Sequence, residues 1–273
     1  MLGISTINIE LTERCNKSCP MCGRRKWEKE HPGEETIFNR DMDWRVFAEI
    51  LRNLEPGITV QLHWNGEPTL YPLLKEAAHA VRKAGCYACM NTNGLFLGDL
   101  AGDLIDFHSI AVSIIQGDTV DNYDRQQYQL VDFFLKTKTF ERRPLIVIRQ
   151  LGKVPPTFFG ISKMFPDQCL LATRVLHAPE MSRDYRRRPT MPETGVCLDL
   201  LHHPAIDVEG NVFPCPRFNP DKLSCFGNVM DMPLKNILSG ENRKRMIDLH
   251  WQGKRDQIEL CAGCHFYGCP TPM

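Results

Sequence analysis

The sequence has no apolar run long enough to cross a bilayer: the longest, such as residues 110–115, fall well short of the ~20 residues that a spanning helix needs. Its first ten residues, MLGISTINIE, lack a basic flank followed by an apolar core, so no secretion signal is legible and a cytoplasmic location is expected. Net charge is missing as well. With 33 basic and 33 acidic side chains, no global field draws the chain to nucleic acid or to an anionic membrane, and any polyanion contact must be local. Internal repeats and low-complexity tracts are absent, and with 42% hydrophobic and 24% charged residues, disorder and fibre are excluded.

Cysteine is what the chain has in excess, twelve in 273 residues, on a chain too large to need disulfide staples. In a reducing compartment such thiols stay reduced or bind metal. Six stand in two tight groups, Cys15, Cys19 and Cys22 near the start and Cys261, Cys264 and Cys269 near the end.

From residue 4 to about 178, short β-branched or apolar runs alternate with amphipathic stretches, the pattern of repeated βα units and a parallel sheet. Strands are expected at 4–11, 59–63, 86–91, 109–115, 145–150 and 170–176, and helices at 41–54, 73–83, 99–107, 120–137 and 158–165. Six units make an α/β partial (β/α)6 barrel, in which chemistry collects at the carboxyl ends of the strands. The expected division is a barrel at 1–178, an Arg/Pro-rich linker at 179–192 and a small cysteine-rich extension at 193–273. That extension opens with a hairpin at 205–215 turning on Gly210, followed by helices at 233–238 and 243–251.

Cys15, Cys19 and Cys22 lie in LTERCNKSCPMCGR, directly after the first strand, where Pro20 and Gly23 disfavour a helix and favour a loop around a metal centre. Three thiolates without a fourth nearby leave a metal centre one open position, a catalytic rather than a structural trait. Cys-x3-Cys-x2-Cys in this place resembles the cluster motif of the radical S-adenosylmethionine (radical SAM) enzymes. The resemblance continues along the barrel. Trp64-Asn65-Gly66-Glu67-Pro68 after strand two is similar to the family's Gly-Gly-Glu-Pro segment, with Asn65 in place of the first glycine. Asn91-Thr92-Asn93-Gly94 closes strand three, and Ser113 on strand four with Tyr123-Asp124-Arg125 beyond it resembles the family's serine strand and following turn.

The resemblance implies a [4Fe-4S] cluster on Cys15, Cys19 and Cys22, chelated by S-adenosylmethionine. Such a cluster is reduced by an external low-potential donor such as flavodoxin or ferredoxin, and the 5′-deoxyadenosyl radical that results takes a hydrogen atom from substrate. It implies cofactor contacts at Met21, Asn65, Gly66, Glu67, Pro68, Asn93, Ser113 and Arg125. Met21 stands where family members usually carry an aromatic residue.

Cys197, Cys215, Cys261 and Cys264 form a four-ligand set that by itself suits zinc or iron–sulfur equally. The stretch from Cys197 through Gly227-Asn228-Val229 and Ile237 to Cys264 resembles the SPASM and Twitch extensions, which carry auxiliary [4Fe-4S] clusters. That implies one auxiliary cluster on these four cysteines, with Cys225 and Cys269 left over, since the fuller SPASM pattern has cysteines beyond the point where this sequence ends. Cys86 and Cys89 fall on a strand at an offset of three and are expected to be structural thiols, as is Cys169.

Three substrate classes follow. The first is a small alcohol such as an aminocyclitol or sugar, oxidised at a carbinol carbon with the leftover electron passing to the auxiliary cluster, Arg149 or Arg174 lying near substrate. The second is a ribosomal peptide, against which counts the short stretch before Cys15 that leaves no room for a leader-binding domain. The third is a nucleotide, a nucleic-acid base or another phosphorylated molecule, for which Arg183, Arg186, Arg187 and Arg188 supply cations. A non-enzymatic iron–sulfur or zinc adaptor requires all the strand-end matches to be coincidence.

Overall fold

Alternation sets the two faces of the first strand: Ile7, Ile9 and Leu11 are buried in the core, and Asn8 and Glu10 point the opposite way. The computed structural model describes residues 3–33, 38–174, 195–262 and 264. Six parallel strands follow one another across the sheet: β1 (Thr6–Ile9), β2 (Thr59–Gln61), β3 (Tyr87–Thr92), β4 (Ser109–Ile115), β5 (Leu145–Leu151) and β6 (Cys169–Arg174). This is the expected partial barrel. Pairing carries each face along unbroken rows, so that Asn8, Gln61, Cys89 and Ser109 stand in one row and Ser113, Arg149 and Ala172 in another nearer the carboxyl ends.

The helical connections cover the apolar face. After α1 (Gly23–Glu30) comes α2 (Trp44–Arg52), capped by the Asp43 carboxylate accepting from Arg45 N at 2.7 Å, which buries Phe47 and Ile50. The helix α3 (Leu74–Lys83) buries the expected face of Leu74, Ala77, Ala78 and Val81. Next, α4 (Val120–Thr137) starts at Thr119, whose hydroxyl accepts from Asn122 N, and buries Leu130, Phe133 and Phe134, and α5 (Thr157–Met164) precedes β6.

Two connections differ from expectation. The helix α1 was not anticipated; it begins at Gly23, directly after the third cysteine, where the preference of Pro20 and Gly23 for a loop ends. Residues 95–107 were expected to hold a helix at 99–107 and instead run as turns. Gly98 and Gly102 weaken helix there, and the Gln129 side chain of α4 accepts from Gly98 N at 2.7 Å and Asp99 N at 3.0 Å, supplying from outside the acceptor that a helical turn would otherwise provide.

The C-terminal part adds to the same sheet. After α6 (Leu198–His202), β7 (Ala205–Ile206) runs parallel to β1 in the register Asn8↔Ala205, and β8 (Asn211–Phe213) and β9 (Gly227–Asn228) follow antiparallel, giving the order β6-β5-β4-β3-β2-β1-β7-β8-β9. Gly210 makes the hairpin turn at φ +88°, as expected, with no space for a side chain between Val229 and Val46. Three helices close this region: α7 (Leu234–Leu238), α8 (Glu241–Trp251) and α9 (Glu259–Ala262). The linker at 179–192 with its arginines, the end of strand six beyond Arg174, and Cys269 lie outside the described residues.

Candidate functional site

The loop of Cys15, Cys19 and Cys22 leaves the carboxyl end of β1 and is held from several sides. From α1, the Arg25 guanidinium donates to Cys15 O at 3.1 Å and Lys17 O at 3.0 Å, and the buried Arg24 guanidinium reaches Glu13 O and Phe38 O. Lys17, inside the loop, forms a buried ion pair with Asp118 beyond β4. The three thiols are close enough to act on one another's ionisation. Burial raises Cys15 above the usual thiol range and pushes Cys19 up to about 12, with the Lys17 charge offsetting only part of that. Such thiols become thiolates only beside a cation, and the iron of a cluster is a partner that fits this donor set. Among the described residues no three His, Cys, Asp or Glu side chains are gathered as a ligand set for one metal ion.

Residues 64–68 lie against this loop by backbone contact. Glu67 N donates to Arg14 O at 2.8 Å, and a Cβ on Gly66 would stand 1.9 Å from Thr12 O, so only glycine permits the approach. The Glu67 carboxylate is buried and fully engaged inside the protein: Oε1 accepts from Thr69 N and Oγ1 and from Thr92 Oγ1 at 2.6 Å, and Oε2 from Asn93 N at 2.7 Å. Asn93 in turn donates from Nδ2 to Asn16 Oδ1 at 2.8 Å, inside the cysteine loop. Glu67 and Asn93 therefore fasten the ends of β2 and β3 to the cysteine loop.

Of the other predicted contacts, Pro68 begins a single 3-10 turn and Met21 sits half-buried between Cys19 and Cys22. Ser113 pairs in register with Arg149 on the polar face. Arg125 is turned to its own side of the barrel, donating to Leu95 O, pairing with Asp99 and covering the Phe96 ring. Arg149 is half-buried, and burial together with the charge of Arg174 pulls its guanidinium below the usual arginine range. Sequence reasoning passed over three polar residues, of which Gln126 and Glu10 are buried and His63 half-buried. Gln126 donates to Asn93 O and Ser113 O, and its Oε1 has no hydrogen-bond partner among the described residues. His63 accepts from Asn91 N at 3.0 Å and is held down to about 3 by burial, with Arg149 and His203 adding to the effect. Glu10 accepts from both Asn65 N and Gly66 N. A signal was available for Glu10 and His63: in Ile-Asn-Ile-Glu-Leu and Val-Gln-Leu-His each alternates with core residues, a polar side chain aimed at the face the helices leave open.

In the C-terminal region, Cys197, Cys215, Cys261 and Cys264, all half-buried, line one cavity with Asp199, Arg217 and His250. Burial, with neighbouring cysteines of the set adding to it, drives Cys215 well above the ordinary thiol value and Cys261 up to about 12. Cys197 caps α6, and its backbone N donates to His250 Nδ1. Cys225 is exposed and lies apart from this cavity, and Cys86, Cys89 and Cys169 are buried in the barrel, as expected for structural thiols.

Residues 197–265 match the SPASM iron–sulfur cluster-binding domain. A curated relative, the tungsten-containing aldehyde ferredoxin oxidoreductase cofactor-modifying protein of Pyrococcus furiosus, is 33% identical over 94 residues, a match that takes in 33% of this chain and 24% of the relative's length. Among solved structures, BtrN in complex with AdoMet and 2-DOIA superposes with a TM-score of 0.60 at 15% identity, covering 96% of this chain and 93% of BtrN. anSMEcpe with bound AdoMet reaches 0.63 at 13% identity over 98% and 91%.

Proposed function

We propose that the chain is a radical SAM enzyme with a SPASM-type iron–sulfur region, and that it oxidises a carbinol carbon of a small hydroxylated substrate; the match of residues 197–265 to the SPASM domain and the fold shared with BtrN and anSMEcpe support this reading. When bound, the [4Fe-4S] cluster and S-adenosylmethionine supply the radical that removes the substrate hydrogen atom. The residues proposed to hold them are Cys15, Cys19 and Cys22 for the catalytic cluster and Cys197, Cys215, Cys261 and Cys264 for the auxiliary one. Arg25 and the Lys17–Asp118 pair fix the cysteine loop, Gly66 admits the close approach of residues 64–67, and Glu67 and Asn93 hold the strand ends in place around it. Barrel and extension are proposed as the two functional parts, 1–178 and 193–273.

The observation that carries the oxidation reading is the cavity that four cysteines share. A four-thiol set leaves a cluster no position for substrate, so its use is to take up an electron. Radical modification of an organic cofactor is a second reading, favoured by the cofactor-modifying relative. Anaerobic iron and sulfide analysis tests the premise: about eight irons per chain are expected, falling to about four in a Cys15/Cys19/Cys22→Ala variant. Ketone or aldehyde formation with 5′-deoxyadenosine, lost in Cys261→Ala while 5′-deoxyadenosine persists, supports oxidation. Full product formation by Cys261→Ala refutes it.

A further inference from the structure

A cavity of about 370 Å³ opens between the carboxyl ends of β1 and β2 and the β7–β8 hairpin. Trp64 and Phe213 form one aromatic wall, ring centroids 5.6 Å apart, and Phe38 and Phe218 another at 6.2 Å. Glu10 lines it, 3% exposed. One carboxyl oxygen, Oε1, is taken by Asn65 N at 2.8 Å and Gly66 N at 3.2 Å, and Oε2 has no hydrogen bond among the described residues.

We propose that Glu10 is the catalytic proton acceptor for the substrate hydroxyl, and that this cavity binds an uncharged or amine-bearing hydroxylated ring. The proposal rests on the oxidation reading above and gives it a base. In the step, the carbinol C–H hydrogen leaves as a hydrogen atom to the S-adenosylmethionine-derived radical and the O–H proton passes to Glu10 Oε2. An auxiliary cluster held by Cys197, Cys215, Cys261 and Cys264 would take the remaining electron as the C–O bond becomes C=O, so that two electrons and one proton are accounted for beyond the transferred hydrogen nucleus.

The charges around Glu10 support both halves. On its own segment Glu13 is bound by Arg40 at 2.7 Å; on the hairpin Asp207 is bound by Lys222 at 3.2 Å and by the backbone N–H groups of Glu209 and Asn211, and Glu209 pairs with both Arg40 and Lys222. From β2 the facing groups, Trp64 and Asn65, are uncharged. Both cations among the described residues of the cavity, Arg40 and Lys222, are thus committed to carboxylates and leave a phosphate no spare partner among those residues. Burial is the main force on Glu10; the Asn65 and Gly66 N–H groups oppose it, Glu13 and Asp207 add to it, and the carboxyl is moved up to about 8, where a group exchanges a proton readily near neutral pH.

The test is an infrared titration of the reconstituted full chain, wild type against Glu10→Gln, whose amide oxygen still accepts from Asn65 and Gly66. Expected is one protonated-carboxyl band, missing in E10Q, that disappears with a midpoint near pH 8 and moves on addition of myo-inositol but not of myo-inositol 1-phosphate. No such band above pH 6, or a band indifferent to myo-inositol, overturns the assignment. Where product forms, E10Q slows it about 100-fold or more and removes the rise in rate between pH 7 and 9, and Glu10→Asp restores part of it. An E10Q enzyme with wild-type rate and pH profile would leave Glu10 only a structural role. Because titration and probe binding need no cofactor turnover, their success without 5′-deoxyadenosine formation would sink the oxidation reading and leave the cavity standing.

Discussion

Replacing Glu67 by Gln tests whether this residue is a brace rather than a ligand. Its carboxylate accepts four hydrogen bonds in a buried place, three on Oε1 and one on Oε2. Gln can keep an oxygen toward Thr69 and Thr92, but then turns an NH2 toward Asn93 N–H, donor against donor. A lost bond to a charged acceptor costs ~1.5–3 kcal/mol and a stranded buried donor ~1–3, so a net loss of about 2–4 kcal/mol is expected after partial relaxation. For a chain of this size that is a fall of roughly 4–12 °C in unfolding temperature. Because Asn93 also holds Asn16, the strain passes into the cysteine loop, and S-adenosylmethionine affinity should drop at least tenfold. Anaerobic calorimetry and equilibrium dialysis measure the two quantities on one preparation. Wild-type unfolding with weakened binding would show the carboxylate to be a direct ligand. Wild-type values in both would refute the reasoning altogether.

Two further outcomes follow from close contacts. Gly66→Ala must push back the Thr12 carbonyl, since its Cβ would lie 1.9 Å from that oxygen; overpacking of this kind costs ~1–3 kcal/mol, and binding of S-adenosylmethionine measured by dialysis should be lost before iron content falls. Lys17→Met strands Asp118 in a buried place and should destabilise by ~3–5 kcal/mol in thermal unfolding, whereas Lys17→Met combined with Asp118→Asn should recover much of it; equal behaviour of single and double variants would mean that the pair is not coupled.

Much of the site was legible because its signals are local in the chain. Three cysteines within eight residues, Gly66-Glu67-Pro68 and Asn93-Gly94 each sit on one strand end, and strand ends can be read from apolar periodicity. The same periodicity misled where an outside partner intervened. The amphipathic look of residues 99–107 suggested helix, but Gln129, some thirty residues on, supplies the acceptor for Gly98 N and Asp99 N. Glu10 was passed over because alternation tells that a side chain leaves the core, not what it meets.

By itself, then, the sequence determined the order of βα units, the three-thiol loop after β1 and the hairpin at Gly210, all consequences of short-range pattern and backbone preference. The tertiary structure puts into one cavity the four cysteines, Cys197, Cys215, Cys261 and Cys264, that the family resemblance had already grouped, and it alone decided that β7 joins the sheet beside β1 and that Glu10 and Asp207 thereby face one space. Those are contacts between residues tens to hundreds of positions apart. Burial and strand pairing bring them together, and no local spacing records which residues will meet.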